Sequence, residues 1–292
     1  MDPSPMLGVS AGLISSFCWA LTTLTVRQLT NHVSAVVVNG LRTAVAAILV
    51  LVIAVPVWAV SPPAMPQLSS LGLMALSVMT GLAFGDAIFF ESIRRIGVAR
   101  AMPVAMSFPL ISTLLAAAFL GEQLTPTIIG GTLLVIVGVV LVVVEKSGGP
   151  AVVRLDRLGY TLAGVTAVCW GLTAVLVRPS LEDMDVLTAS AVRLPFATLL
   201  MLLVVRGQAL AAVRALTPRL WRLMLLAGVL SVGATLFFVT AISLAGAGKT
   251  ASVSATSPLF AAPLAALFLK EPLTRRLVIG TVVSAAGVGL LL

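Results

Sequence analysis

The sequence predicts an all-α membrane protein of ten transmembrane helices, arranged as two inverted-topology five-helix repeats. Three observations predict it. The 292-residue chain is 60% hydrophobic and 10% charged, whereas a soluble domain carries about a quarter of its residues as charges. Apolar runs of about 20 residues, each long enough to cross ~30 Å of hydrocarbon, recur along the whole chain. The chain also matches itself. Residues 7–27 (LGVSAGLISSFCWALTTLTVR) and 158–178 (LGYTLAGVTAVCWGLTAVLVR) share Leu-Gly, Cys-Trp, Leu-Thr and Val-Arg at an offset of 151. The same offset carries Arg42 onto Arg193, and an offset of 149 carries Pro109 onto Pro258 and Glu122 onto Glu271.

The apolar runs fall at 7–27, 34–56, 70–93, 98–120, 126–145, 158–178, 185–206, 220–244, 250–269 and 275–292. In lipid every backbone N–H and C=O must be paired within its own segment or in a closed barrel. A barrel strand alternates in polarity, and these runs are continuously apolar, so they read as helices. The self-match divides them into residues 1–147 and 148–292, five spans each. Five is odd, so the second copy enters the membrane from the opposite side. Inverted repeats of this kind are common in secondary transporters, whose substrate site lies near the midplane between the copies.

Charge sets the orientation. Of 18 Lys and Arg residues, Arg42 and Arg193 lie inside spans. The connectors after spans 1, 3, 5, 7 and 9 hold Arg27; Arg94, Arg95 and Arg100; Lys146, Arg154 and Arg157; Arg206, Arg214, Arg219 and Arg222; and Lys270, Arg275 and Arg276. Only Arg178 and Lys249 fall on the other side. Positive residues stay cytoplasmic, which puts both termini in the periplasm of an inner-membrane protein. The net charge of +8 is thus a topology signal. No basic stretch is long enough to suggest a nucleic-acid partner.

Other classes lose ground on the residues they need. The first apolar run has no basic flank and exceeds a signal-peptide core, so no cleavable leader is expected. Cys18 and Cys169 sit mid-span and read as small packing residues, and His32 has no neighbouring second ligand, so neither metal nor cofactor is expected. No P-loop, GxSxG or HExxH pattern occurs, so the chain is not read as an enzyme. A membrane enzyme on a lipid-linked substrate would need a cluster of acids or histidines at one interface, and only Asp86 and Glu91 qualify.

The polar residues inside spans are the candidate site. Span 1 places Ser15, Trp19 and Thr22 on one helical face, and span 6 repeats it with Thr166, Trp170 and Thr173. Tryptophan prefers the membrane interface, so two midplane tryptophans read either as helix packing or as the walls of a cavity. Buried charges mark function by default. Arg42 and Asp86 lie at similar depth on consecutive spans, roughly 10–12 Å from the cytoplasmic end by the helical rise, and are expected to form an ion pair or gate. Arg193 has no acidic mate in its own copy, because Asp86 aligns near Ala234 and Thr235. It is expected either to bond backbone carbonyls or to receive the anionic group of a solute. Spans 4 and 9 carry small and polar residues before Pro109 and Pro258, which makes Ser107 and Thr256 candidate contacts, together with Ser252 and Ser254. Thr125–Pro126 predicts a capped start to span 5. Glu122 and Glu271 read as interfacial structural residues, and Glu91 as the partner of Arg94 or Arg95.

The chain resembles the ten-helix branch of the drug/metabolite transporter superfamily built from duplicated EamA domains. The residues that carry the likeness are FCWALTTLTVR and VCWGLTAVLVR, the arginine of spans 2 and 7, SFPLIS and TSPLFA, and FLGEQLTP and FLKEPLTR. The likeness spans essentially the whole chain. It implies a gradient-driven exporter or exchanger of small metabolites, often amino acids, that uses no ATP and has a central cavity between the copies. Small four-helix relatives couple to protons through a glutamate in span 1. Span 1 has no acid here, which leaves the coupling ion, a proton or another, open. The expected partners are a small-molecule solute and the bilayer, with the chain acting as a monomer. A lipid or lipid-phosphate translocator, with Arg42 and Arg193 gripping a phosphate, is the alternative within transport.

Overall fold

The computed structural model describes residues 3–29, 32–96, 101, 104–145, 156–205, 207–269 and 275–292, and every regular element among them is helical. The first copy contains α1 (Pro3–Leu29) and α2 (Ala35–Val60). Next come α3 (Leu68–Val78), a π-helical segment (Met79–Gly85) and α4 (Asp86–Ile96), without a break, and then α5 (Phe108–Leu120) and α6 (Pro126–Glu145). The second copy contains α7 (Arg157–Ser180), α8 (Val186–Val205), a short α9 (Gln208–Ala215) and α10 (Pro218–Ala245), followed by α11 (Ala247–Ser254), α12 (Ser257–Leu269) and α13 (Arg275–Leu291).

Among the described residues five helices, α1, α2, α7, α8 and α10, are long and apolar enough to cross a membrane. Shorter apolar helices lie at Leu68–Gly81, Phe108–Leu120, Pro126–Leu141 and Val278–Leu291. Two spans that read as single runs are interrupted. The chain leaves helical geometry at Met106–Ser107 and Ala255–Thr256, two residues before Pro109 and Pro258. Proline lacks an N–H and its ring crowds the preceding turn, so each break sits where the sequence places a proline. Large apolar side chains such as Ile48, Val52, Leu203 and Val282 are exposed on the outside of the bundle. A surface so rich in apolar groups needs an apolar neighbour, and lipid supplies one.

Helix starts follow side-chain chemistry. The Asp156 carboxylate accepts from Gly159 N at 3.1 Å at the start of α7. Asp185 accepts from Leu187 N at 2.8 Å and Thr188 N at 3.0 Å at the start of α8. Thr217 accepts from Leu220 N at 3.4 Å ahead of Pro218, and Thr125 accepts from Ile128 N at 3.2 Å ahead of Pro126, as its sequence predicts. Each satisfies an N–H that the first helical turn leaves without a partner.

The two copies are interleaved rather than side by side. Helix α1 packs on α10, α11 and α12 of the second copy, while α7 packs on α3, the π segment, α4 and α5 of the first. Helix α2 lies against α8, and α6 against α13. The last pair is built on backbone contact. A Cβ on Gly287 would lie 2.7 Å from the Gly131 carbonyl oxygen, and one on Gly138 would collide with Ser284 Oγ and the Gly280 carbonyl. Small residues permit this approach where no hydrophobic force draws helices together.

Hydroxyls tie the copies together. Ser15 Oγ donates to the Ala234 carbonyl at 2.7 Å and Ser16 Oγ to the Val253 carbonyl at 3.0 Å, joining α1 to α10 and α11. Ser92 Oγ donates to the Gly159 carbonyl at 2.8 Å, joining α4 to α7. At the same end Arg95 pairs with Glu91 at 2.7 Å, as read from sequence, and with Asp156 at 3.3 Å. The Gly159 N–H, assisted by Arg95, holds the Asp156 carboxyl below the usual carboxylate range. At the opposite end the Asp183 carboxylate accepts from Gln67 N at 2.6 Å, and this contact lowers its pKa.

The longest-range tie uses Glu122. Its carboxylate accepts from Ala247 N at 2.6 Å and Gly248 N at 3.1 Å, capping α11 from 125 residues away. Gly246 makes this possible. It holds a φ of +86°, and the Glu122 carboxylate lies 2.6 Å from where a Cβ would stand. Glu271, its repeat mate, lies outside the described residues.

Candidate functional site

A cavity of about 360 Å³ lies between the copies and takes its walls from both. Helix α1 contributes Ser15, Ser16 and Trp19, and α2 contributes Arg42 and Thr43. Helix α7 contributes Trp170 and Thr173, and α8 contributes Arg193, Leu194 and Ala197. Gly81 enters from the π segment, and Ser231, Ala234, Thr235 and Phe238 enter from α10. The two helix breaks supply Met106 and Phe108 from one, and Ser254, Ala255, Ser257 and Pro258 from the other, and Ala174 and Ala251 complete the lining. The cavity therefore sits where α5 and α12 begin, and a helix start carries positive partial charge.

Trp19 is 44% exposed, and the Arg42 guanidinium stacks on its ring at 5.1 Å. Arg42 itself is 5% exposed. Its Nη1 donates to Ser231 Oγ at 2.6 Å and its Nη2 to Asn39 Oδ1 at 2.5 Å. Ser231 Oγ in turn donates to the Ala227 carbonyl at 2.6 Å, so Arg42 bridges α2 and α10. Trp170 has different company. Phe89 lies 4.9 Å from it at a tilt of 57°, and Phe108 meets it edge-on at 6.0 Å. Arg193 stacks on Phe238 at 5.8 Å, and its Nη1 donates to Ser77 Oγ at 2.5 Å. Ser77 Oγ donates onward to the Thr173 carbonyl at 3.1 Å, which links α8 to α3 and α7.

Of the residues singled out from sequence, Ser15, Trp19, Arg42, Trp170, Thr173, Arg193 and Ser254 line this one cavity. Thr22, Ser107 and Thr256 are not among its lining. Thr22 is buried and donates to the Cys18 carbonyl at 2.8 Å. Ser107 and Thr256 donate to the Val104 and Val253 carbonyls at 2.7 and 2.6 Å, holding the backbone at the two helix breaks. Hydroxyls on helices commonly turn back to a carbonyl one turn earlier. Ser252 is likewise buried and bonds the Gly248 carbonyl and Thr132. Asp86 opens α4, ten residues before its last, Ile96. Its side chain, and with it the Arg42–Asp86 pair, lies outside the described residues.

Sequence reading missed Ser231, Phe238 and Phe108. Ser231 and Thr235 stand one helical turn apart in an otherwise apolar span, and that spacing was the available signal. Ala234 and Thr235, where the second copy lacks an acid, both face the cavity.

The EamA-like transporter family matches this chain twice, over residues 6–144 and 157–292. An uncharacterized transporter of Archaeoglobus fulgidus is 28% identical over 289 residues, covering 98% of either chain. A solved crystal structure superposes with a TM-score of 0.76 over 99% of this chain and 96% of its own, at 18% identity, a likeness of fold alone.

Proposed function

The chain belongs to the EamA-like transporter family, and from that premise we propose that it is a ten-span secondary transporter that exports amino acids or similar small metabolites across the inner membrane by alternating access. One observation carries this reading. The repeat-related pairs Trp19/Trp170 and Arg42/Arg193 converge on a single cavity between the copies. Inverted repeats that share a site can expose it to either side by exchanging conformations. The interleaving of α1 and α7 supplies the parts: α1 moves with α10–α12, and α7 with α3–α5. Both termini face the periplasm in this scheme, as the distribution of arginine and lysine supports. Trp19 and Trp170 contact the solute from opposite sides, with Thr173 beside Trp170.

A volume of about 360 Å³ is at the small end of ligand pockets, which span roughly 300–1,000 Å³. That suits a metabolite better than a two-tailed lipid. The test is counterflow with purified protein in liposomes across the twenty amino acids. Saturable counterflow of at least one, weakened by Trp19→Ala and by Trp170→Ala, supports the proposal. Transbilayer movement of labelled lipid with no soluble counterflow would replace it with lipid translocation.

A further inference from the structure

The two arginines of the cavity are not equivalent, and the difference points to the kind of solute. Arg42 has both terminal nitrogens engaged, by Ser231 and Asn39, and its face lies on Trp19. Arg193 spends Nη1 on Ser77. Among the described residues, Ser77 is its only hydrogen-bond partner and Phe238 its stacking partner. The Nε–H and Nη2–H groups therefore remain. These two point the same way along one edge of the planar guanidinium. That edge is the fork which fits both oxygens of a carboxylate.

Three further features favour negative charge at this place. Arg193 lines the cavity and lies seven residues inside α8, half-buried. A guanidinium partly withdrawn from water gains more from an anionic acceptor than one on an open surface. Ser254 Oγ, at the last residue of α11, is buried and has no partner among the described residues, and Ser254 also lines the cavity. Helices α5 and α12 both begin at the cavity wall, with Phe108 and with Ser257, and a helix start favours an anion. The rest of the lining is largely aliphatic and aromatic, with Leu194, Phe238, Phe108 and the two tryptophans.

We propose that the solute carries one carboxylate, or a like-shaped oxyanion, seated on the Nε/Nη2 edge of Arg193, and an apolar body laid between the aromatic walls. Arg42 is a positioning residue for Trp19 and takes no second anionic group, so the preferred solute presents one such group rather than two. This rests on the transport reading above only for the name of the site's occupant; the anion seat itself is a binding property.

The experiment uses three probes with one apolar body and different heads: phenylacetate, phenylacetamide and phenethylamine. Binding to the purified full-length protein is read by calorimetry and by thermal shift. Phenylacetate is expected to bind about tenfold or more tighter than the amide, since a charged pair is lost between them. Arg193→Gln removes that preference, while Arg193→Lys, which keeps the charge but not the fork, retains part of it. Ser254→Ala weakens phenylacetate by about tenfold, as for one hydrogen bond to a charged acceptor. Should Arg193→Gln fail to fold, Arg193→Lys and Ser254→Ala carry the test alone. Equal or tighter binding of the amine or amide overturns the proposal. So does phenylacetate binding unchanged in Arg193→Lys and Ser254→Ala, or binding of none of the three at millimolar concentration. Counterflow separates the two readings. Arg193-dependent phenylacetate binding without counterflow of any solute keeps the anion seat and removes transport. Counterflow of neutral or cationic solutes alone keeps transport and removes the seat.

Discussion

Trp19 with Arg42 and Trp170 with Arg193 occupy the same register of the two copies, yet the structure treats them differently. Trp19 is nearly half exposed and carries a guanidinium on its face. Trp170 is wedged against two phenylalanines from the first copy. Arg42 is bound on both sides of its fork, whereas Arg193 has one side bound. The partners explain this. Trp170 meets α4 and α5, where Phe89 and Phe108 stand. Arg42 meets α10, where Ser231 stands, and Arg193 meets α3 through Ser77. The stretch Leu68–Ile96 holds one residue more than the 28 of its repeat mate α10, and among the described residues only the first copy contains a π segment. A π turn accommodates an extra residue and recurs at functional sites. Here it brings Gly81 to the cavity wall and places Asp86 at its end. Duplication copies residues; it does not copy their neighbours, and an asymmetric site can be built from symmetric parts.

The largest effect should come from the tryptophans. Trp170→Ala empties a packed aromatic cluster and should cost about 3–5 kcal/mol. Trp19→Ala should cost about half as much or less, because much of its surface is already exposed. Thermal unfolding of detergent-solubilised protein measures both, and equal losses would make the two corners equivalent in packing. Next come the arginines. Arg42→Met leaves Ser231 and Asn39 without their donor and should cost about 3 kcal/mol. Arg193→Met removes one hydrogen bond and one stacking contact, worth about 1–2 kcal/mol. A greater stability loss for Arg193→Met would reverse the assignment of Arg42 as the structural member of the pair.

Smaller effects belong to the ends of the bundle. Glu122→Ala strips the cap from α11 and should cost about 1–2 kcal/mol. It should also raise labelling of a cysteine placed at Ala247, and unchanged labelling would mean that the tie does not hold that end closed. The smallest is a pH effect at the opposite end. The Asp156 carboxyl has a folded pKa lowered from 3.8. Its contribution is therefore present above the unfolded value and is lost as pH falls through the folded one. Melting temperature should drop further between pH 5 and pH 3 (about one unit either side of a free aspartate) in the natural protein than in Asp156→Asn. Parallel drops would show that the contact with Gly159 and Arg95 adds nothing.

Much of the fold was legible because lipid makes few demands and makes them strictly. Apolar length and a 151-residue self-match state helices and duplication without reference to any contact. Local chemistry was legible too. Thr125–Pro126 starts α6, and Glu91 meets Arg95 one turn further on. Such features involve residues within one turn of each other, so spacing alone reveals them.

Contacts across the chain were not legible. Nothing in spacing says that α1 packs into the second copy and α7 into the first, that Glu122 reaches α11, or that Arg42 chooses Trp19 as its neighbour. Thr22, Ser107 and Thr256 show the limit most plainly. Their faces and positions suited a cavity, but each hydroxyl found a carbonyl three or four residues back in the chain within 2.8 Å. A hydroxyl inside lipid takes the nearest acceptor, and which residues remain to face a solute depends on what the tertiary packing leaves unpaired. By itself the sequence determined that there would be two matched arginines in the membrane. Only the folded arrangement decided that one of them would be bound on both arms and the other would keep an edge open.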